Sequence, residues 1–367
     1  MKKLLFTFLP VFLCLAILLS ACGPAAAKPE EPKPEEKTAE TQEFTDSLGR
    51  TVTLPAEITK VAVSGPLAQT YLVPLCADLF VGFSIDYAPE AQKFFPAEFW
   101  ELPHLGQLYG GKGTMDLEAL LKAAPDVVID LGEQKQDMAK DFDDLSEQTG
   151  IPFIHIDATV ETAGEAYKIL GELLGKQEQA EKLAAYCENI LEKSATLMEK
   201  IDKAGERVTA AYLLGDKGLN AIAKGSFHGE TFDFMAENVV VVDQVVSKGS
   251  GNEIDMEQLL LWDPEVIVFA HDSIYDTVKD SPEWQKISAV KEGKYAKVPF
   301  GPLGWLSSPP SVQRYLGFIW LAELLYPEES ELDFKQEVKD YYKLFYGYDL
   351  SDEELNELTK DSFFKVP

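Results

Sequence analysis

Residues 116–129 recur, without a gap, as residues 255–268. The first copy reads Asp-Leu-Glu-Ala-Leu-Leu-Lys-Ala-Ala-Pro-Asp-Val-Val-Ile, the second Asp-Met-Glu-Gln-Leu-Leu-Leu-Trp-Asp-Pro-Glu-Val-Ile-Val. Each opens on an acidic residue, which favours a helix start by complementing the helix dipole. Each then meets a proline, which disfavours continuation of the helix and launches an extended segment. The Val/Ile runs that follow suit strands buried on both faces, as in parallel sheets. Two distant copies of one helix–Pro–strand phrase predict two related α/β lobes.

Other segments fit that plan. Strands are expected at Val61 to Val63, Phe153 to Ile156, Thr209 to Leu214, Val239 to Val242 and Val266 to Phe269. Helices are expected from Leu67 to Leu75, from Met138 to Gln148, and from starts near Glu230 and Ser311. Between the halves, residues 162–203 read as helix with a break near Gly175. The part after the break holds no Gly or Pro, and Leu183, Tyr186, Ile190, Met198 and Ile201 recur at helical spacing. One long helix joining the lobes is expected, since no sustained heptad marks a coiled coil.

The N-terminus carries an address. Lys2 and Lys3 precede an apolar run from Leu4 to Leu19, then Leu-Ser-Ala-Cys ends at Cys22. This is the layout of an export signal, too short for a favoured transmembrane helix. The last four residues resemble a bacterial lipobox, which implies lipidation of Cys22. Residues 22–43 are Pro, Glu, Lys and Ala with almost no large apolar side chains, a composition expected to stay extended and disordered. The organisation expected is a signal at 1–21, a linker at 22–43, an N-terminal lobe at 44–160, a joining helix at 161–205, a C-terminal lobe at 206–327 and an acidic helical tail at 328–367. The net charge of −29 argues against nucleic-acid and anionic-lipid surfaces as partners. Cys76 and Cys187 read as two separate buried thiols.

The chain resembles the substrate-binding proteins of ABC importers for iron–siderophores, haem and cobalamin. The resemblance rests on Phe44-Thr-Asp-Ser-Leu-Gly-Arg-Thr-Val-Thr-Leu-Pro55, on Ile58 to Val63, Val81 to Ser84 and Pro125 to Ile129, and on the segment from Pro309 to Pro327. It implies a helical-backbone periplasmic-binding fold and a monomeric carrier lipid-anchored outside the cell membrane. The carrier is expected to bind a small metal chelate, with no cofactor of its own, and to pass it to an ABC permease and its ATPase. It also implies that Glu118 and Glu257 dock into basic pockets of that permease. An enzyme on the same bilobal fold, such as a chelatase, or a haem-scavenging surface lipoprotein without a permease, is the alternative.

In open α/β sheets a ligand sits beyond the carboxyl ends of the strands. That rule selects Ser64 and Tyr71 after the first strand, Asp130 and Glu133 after the repeat strand, and Asp216 and His228 after the Thr209 strand. It further selects His271 and Tyr275 after the second repeat strand. Tyr109 is drawn from a glycine-rich loop, and Trp305 and Arg314 from the late Gly/Ser/Pro-rich segment. Gly106 to Lys112 imitates a phosphate-binding loop, but Gly113 stands where the metal-binding hydroxyl belongs. Arg50, Arg207 and Arg314 are the chain's only arginines, and only Arg314 lies near a cleft loop. Multiply anionic chelates favour clustered guanidinium forks. The expectation is a neutral or weakly charged chelate: a corrinoid, a hydroxamate siderophore, or haem.

Overall fold

A computed structural model describes residues 40–109 and 114–364. The signal, Cys22 and nearly all of the linker lie outside the described residues.

The described chain opens with the hairpin β1 (Thr41–Thr45) and β2 (Thr51–Pro55), paired antiparallel from Thr41 opposite Pro55 to Thr45 opposite Thr51. The folded body therefore starts a few residues before Phe44, because Thr41 to Glu43 have strand partners. Then come β3 (Val61–Val63), α1 (Pro66–Cys76), α2 (Leu117–Ala123), β4 (Val127–Gly132), α3 (Met138–Thr149) and β5 (Phe153–Asp157). The order β3-β4-β5 makes a parallel sheet, with Val61 beside Val127 and Val128 beside Phe153. Helices α4 (Ala163–Leu174) and α5 (Gln177–Ala204) lead to the second half. At about 1.5 Å per residue, α5 is roughly 42 Å long. It buries Leu183, Cys187, Ile190, Leu197, Met198 and Ile201 along one stripe.

The second half contains β6 (Thr209–Leu214), β7 (Asn220–Ala221), α6 (Glu230–Met235), β8 (Glu237–Asn238), β9 (Asn252–Glu253), α7 (Met256–Trp262), β10 (Val266–Phe269), α8 (Tyr275–Val278), α9 (Ser288–Lys291) and β11 (Tyr295–Lys297). Its sheet runs β11-β10-β6-β7-β9, with β8 also on β6. Pairings of β6 with β8 and β10, and of β10 with β11, are parallel; those of β7 are antiparallel.

The repeat is preserved in atomic detail. Asp116 and Asp255 cap α2 and α7 through the backbone N–H of Ala119 and Gln258. Ala124 and Asp263 end these helices in the left-handed region, at φ 47° and 40°, just before the prolines. Asp126 accepts hydrogen bonds from the N–H and hydroxyl of Thr59, at the entry to β3. Glu265 accepts the same pair from Thr209, at the entry to β6. The carboxylate after each proline thus pins the start of the neighbouring strand.

One expectation changes. Val239 to Val242 is not a strand: β8 ends at Asn238, whose side chain accepts from the Val240 N–H and donates to Ile222 and Asp233. An Asn that satisfies its own backbone neighbour turns the chain out of the sheet, whatever the β preference of the valines. The late helix α10 (Arg314–Leu325) starts three residues after Ser311 and is buried on all sides.

The tail, α11 (Phe334–Tyr346) and α12 (Asp352–Leu358), packs onto both halves. Tyr186 of α5 donates to the Glu337 carbonyl at 2.8 Å, and Phe94 meets the rings of Tyr342, Tyr346 and Tyr348. On the C-terminal half, Lys297 N–H donates to the Asp361 carbonyl and Trp320 Nε1 to the Ser362 carbonyl. Cys76 and Cys187 are buried, unbridged thiols.

Candidate functional site

The carboxyl ends of β3, β4 and β5 converge on a buried polar chain. Strand β4 continues through Gly132, so Asp130 lies within the sheet rather than in the loop beyond it. Ser64 donates its hydroxyl to Asp130 Oδ1. The other oxygen of Asp130 is 2.7 Å from His155 Nδ1, and His155 Nε2 is 3.0 Å from Asp157. His155 is fully buried. Ser64 and Asp130 are therefore engaged with each other and with His155. They brace the cleft-facing sheet edge instead of being presented to a solute.

Above that edge the two halves meet. Helix α1 carries Tyr71, which is fully buried with its hydroxyl against the Arg314 guanidinium, though without a hydrogen bond of standard geometry. Arg314, at the first position of α10, donates to the Glu230 carboxylate and to the Phe227 carbonyl at 3.2 Å. Its guanidinium carbon lies 4.6 Å from the Phe227 ring centroid. Arg314 is 1% exposed, so the cleft's one arginine is sealed and neutralised within the protein. Burial raises the Glu230 carboxyl above its ordinary range even though Arg314 pulls it down.

The rim is built by both halves. Glu133, just past β4, accepts from the Ser247 hydroxyl at 3.4 Å, and Ser247 in turn accepts from Phe227 N–H at 3.2 Å. Burial raises the Glu133 carboxyl, opposed by Lys135. Gly132 has φ 128°, and a Cβ there would press to 3.1 Å from Leu67 and 3.7 Å from Phe227. Glycine at this point permits the positive φ and the close approach of Leu67 from α1. Tyr109 is half-buried, with Lys135 Nζ 5.0 Å from its ring centroid and its hydroxyl 3.4 Å from Asp141. His228 Nδ1 lies 3.2 Å from the Ser307 hydroxyl.

Of the sequence-selected residues, Tyr71, Tyr109, Glu133, His228 and Arg314 thus share one neighbourhood. Asp216, His271 and Tyr275 form another, at the ends of β6 and β10, where the Ser273 hydroxyl donates to the Gly215 carbonyl. His271 stacks on Phe300 with centroids 4.0 Å apart. Tyr275 is buried in the outer core of this half, and Asp216 is exposed. Trp305 is corrected outright: its place in a loop rich in Gly and Ser predicts exposure and ligand stacking, yet it is fully buried. Its Nε1 faces the Gly301 carbonyl at 3.4 Å and its ring tilts onto Phe334 of the tail. Sequence reasoning misses Phe227, Glu230, Lys135 and Ser247 as cleft residues. The one signal available for Glu230 is its place at a helix start, which reads equally as a dipole partner. Glu118 and Glu257 occupy equivalent positions in the first turns of α2 and α7, and both are exposed.

Burial pushes the His228 imidazole down to about 4. A histidine depressed on folding stays neutral in the native state while the unfolded chain, near 6.5, takes up a proton. Stability is fully present above about pH 6.5 and declines as pH falls toward 4. Thermal melts across that window should show this decline, and His228→Gln should flatten it. A wild-type profile that does not change over the window contradicts this picture of His228.

The family model described as periplasmic binding protein matches residues 98–300. An ABC transporter solute binding protein from Sulfurospirillum deleyianum is 30% identical with a TM-score of 0.79, over 87% of this chain and 99% of its own. A periplasmic solute binding protein from Veillonella parvula is 26% identical with a TM-score of 0.68, over 88% and 97%. The molybdate periplasmic binding protein MolA of Haemophilus influenzae, bound to molybdate, shares the fold at 22% identity and a TM-score of 0.66, over 84% and 99%. No curated protein sequence matches the chain. The match across more than half of the chain, together with the first of these relatives, shows that this protein belongs to the periplasmic binding protein family, as a solute-binding component of an ABC transporter.

Proposed function

We propose that this protein captures a neutral or weakly charged metal chelate, of the hydroxamate-siderophore, haem or corrinoid kind, between its two halves. It is held at the membrane by lipid on Cys22 and releases the chelate to a permease engaged by Glu118 and Glu257. Relatives of this fold hold ligands as unlike as molybdate and nickel, so the choice rests on the cleft's own chemistry.

The carrying observation is the state of Arg314. A site for a polyanion needs guanidinium forks free to bind it. Here the one cleft arginine is buried and paired with Glu230. The groups at the rim are Tyr109, His228 and Phe227, with Glu133 and Lys135 of opposite sign beside them. Aromatic faces and imidazole suit a flat or apolar-edged chelate. The long α5 and the tail that packs on both halves limit how far the halves can move.

The test is a thermal-shift screen of the mature protein against cobalamin, haem, ferric hydroxamates, ferric catecholates, free divalent metals and molybdate. A ligand at about 100 times its dissociation constant stabilises by about 2.7 kcal/mol. The reading predicts a shift with a hydroxamate, haem or corrinoid ligand. A shift confined to catecholate or molybdate contradicts the charge argument, and no shift with any chelate contradicts the reading as a whole.

A further inference from the structure

Among the described residues, five large apolar side chains are exposed: Leu121, Val241, Val245, Leu260 and Leu261. Three of these five sit on α2 and α7, two helices of only seven residues each. Leu121 and Leu260 occupy the same place in the repeat, 50% and 36% exposed, and Leu261 is 83% exposed. The leucine before each, Leu120 and Leu259, is fully buried and already fastens the helix to its core. The outer leucines, Leu261 above all, nonetheless leave much apolar surface to solvent.

Their placement is informative. Leu121 lies three residues after Glu118; Leu260 and Leu261 lie three and four after Glu257. Residues at these spacings share one helix face. Each half thus presents an exposed carboxylate and an exposed leucine side by side. Single exposed leucines are ordinary on a protein surface, but the same leucine–carboxylate pair on both copies of the repeat fits a surface that is covered intermittently.

We infer that these leucines are apolar anchors for the permease, resting on the docking reading above. Leu121 on one half, and Leu260 with Leu261 on the other, would seat in apolar patches of the permease's outward loops, beside the cations that receive Glu118 and Glu257. Position 122 is Lys where position 261 is Leu, so the two contacts are unequal and the C-terminal one carries the larger apolar share. Charge steers the encounter and sets its register; the leucines slow dissociation by removing apolar surface from water.

The experiment measures binding of the purified mature protein to its ABC permease–ATPase complex, held in lipid nanodiscs, at low and high salt. The variant L121Q/L260Q/L261Q should bind about tenfold or more weakly at both salt levels, as expected for burial of two or three leucines. Glu118→Gln with Glu257→Gln should lose affinity mainly at low salt, where exposed charges are unscreened. L260Q/L261Q should cost more than L121Q. V241Q/V245Q, exposed valines outside the repeat, should bind as the parent does. Unchanged solute affinity and melting temperature in each variant exclude misfolding as the cause. Full binding by the leucine variant with weakened binding by the glutamine variant overturns the inference and leaves the docking reading standing. Full binding by both overturns the docking reading as well. Equal weakening by the valine variant overturns the assignment of the leucines as specific anchors.

Discussion

Charge reversal at both proposed docking positions, Glu118→Arg with Glu257→Arg, is expected to abolish solute uptake by cells while the solute's dissociation constant stays within about twofold. Both side chains are exposed in the first turns of α2 and α7. Replacing them disturbs no core, and surface substitutions of this sort cost within about 0.5 kcal/mol of stability. On a partner surface that is basic, each reversal turns an attraction into a like-charge repulsion costing several kcal/mol. Either single reversal should give an intermediate uptake rate, because the other contact survives. Uptake assays paired with titration of the purified variants check this. Normal uptake by the double variant removes the glutamates from the docking surface.

The second large effect is expected at the contact between the halves. Arg314→Ala leaves the Glu230 carboxylate without its partner, strips Phe227 of the cation over its ring, and opens a cavity beneath Tyr71. Breaking one side of a buried ion pair costs about 3–5 kcal/mol. At about 2–4 °C per kcal/mol for a large domain, the melting temperature should fall by on the order of ten degrees. The paired replacement Arg314→Met with Glu230→Leu removes both charges and should recover most of that stability. Denaturant unfolding of the two variants separates these outcomes. A loss under about 1 kcal/mol for Arg314→Ala, within the surface-pair range, would show that solvent relaxes the pair and that it does not brace α6 against α10.

What the sequence reveals here follows the range over which each determinant acts. The repeat is legible because its causes are local: an acidic cap, a left-handed residue before proline and a Val/Ile strand lie within fourteen residues of one another. Helix α5 is legible because nothing in 177–203 interrupts it. The cleft is legible only in part. Asp130 looks like a loop carboxylate until His155, on the next strand, is seen to claim it. Trp305 looks exposed until the tail's Phe334 is placed over it. Arg314 looks like a free cation until Glu230, distant in sequence, neutralises it. In each case a partner brought by tertiary packing overrides what the local sequence permits. The same holds for Val239 to Val242, where Asn238 outweighs four β-formers in a row.

The repeat also links fold and function. One phrase, used twice, supplies each half with a buried parallel strand and a helix whose outer face bears a glutamate and a leucine.

The central claim is that the solute lies between the halves, and anomalous X-ray scattering locates a metal chelate directly. Crystals of the mature protein with the best ligand from the thermal-shift screen, measured at the absorption edge of its metal, should show one strong peak between Glu133 and Tyr109 on one side and His228 and Phe227 on the other. A peak elsewhere on the surface, with that cleft left empty, would contradict the account.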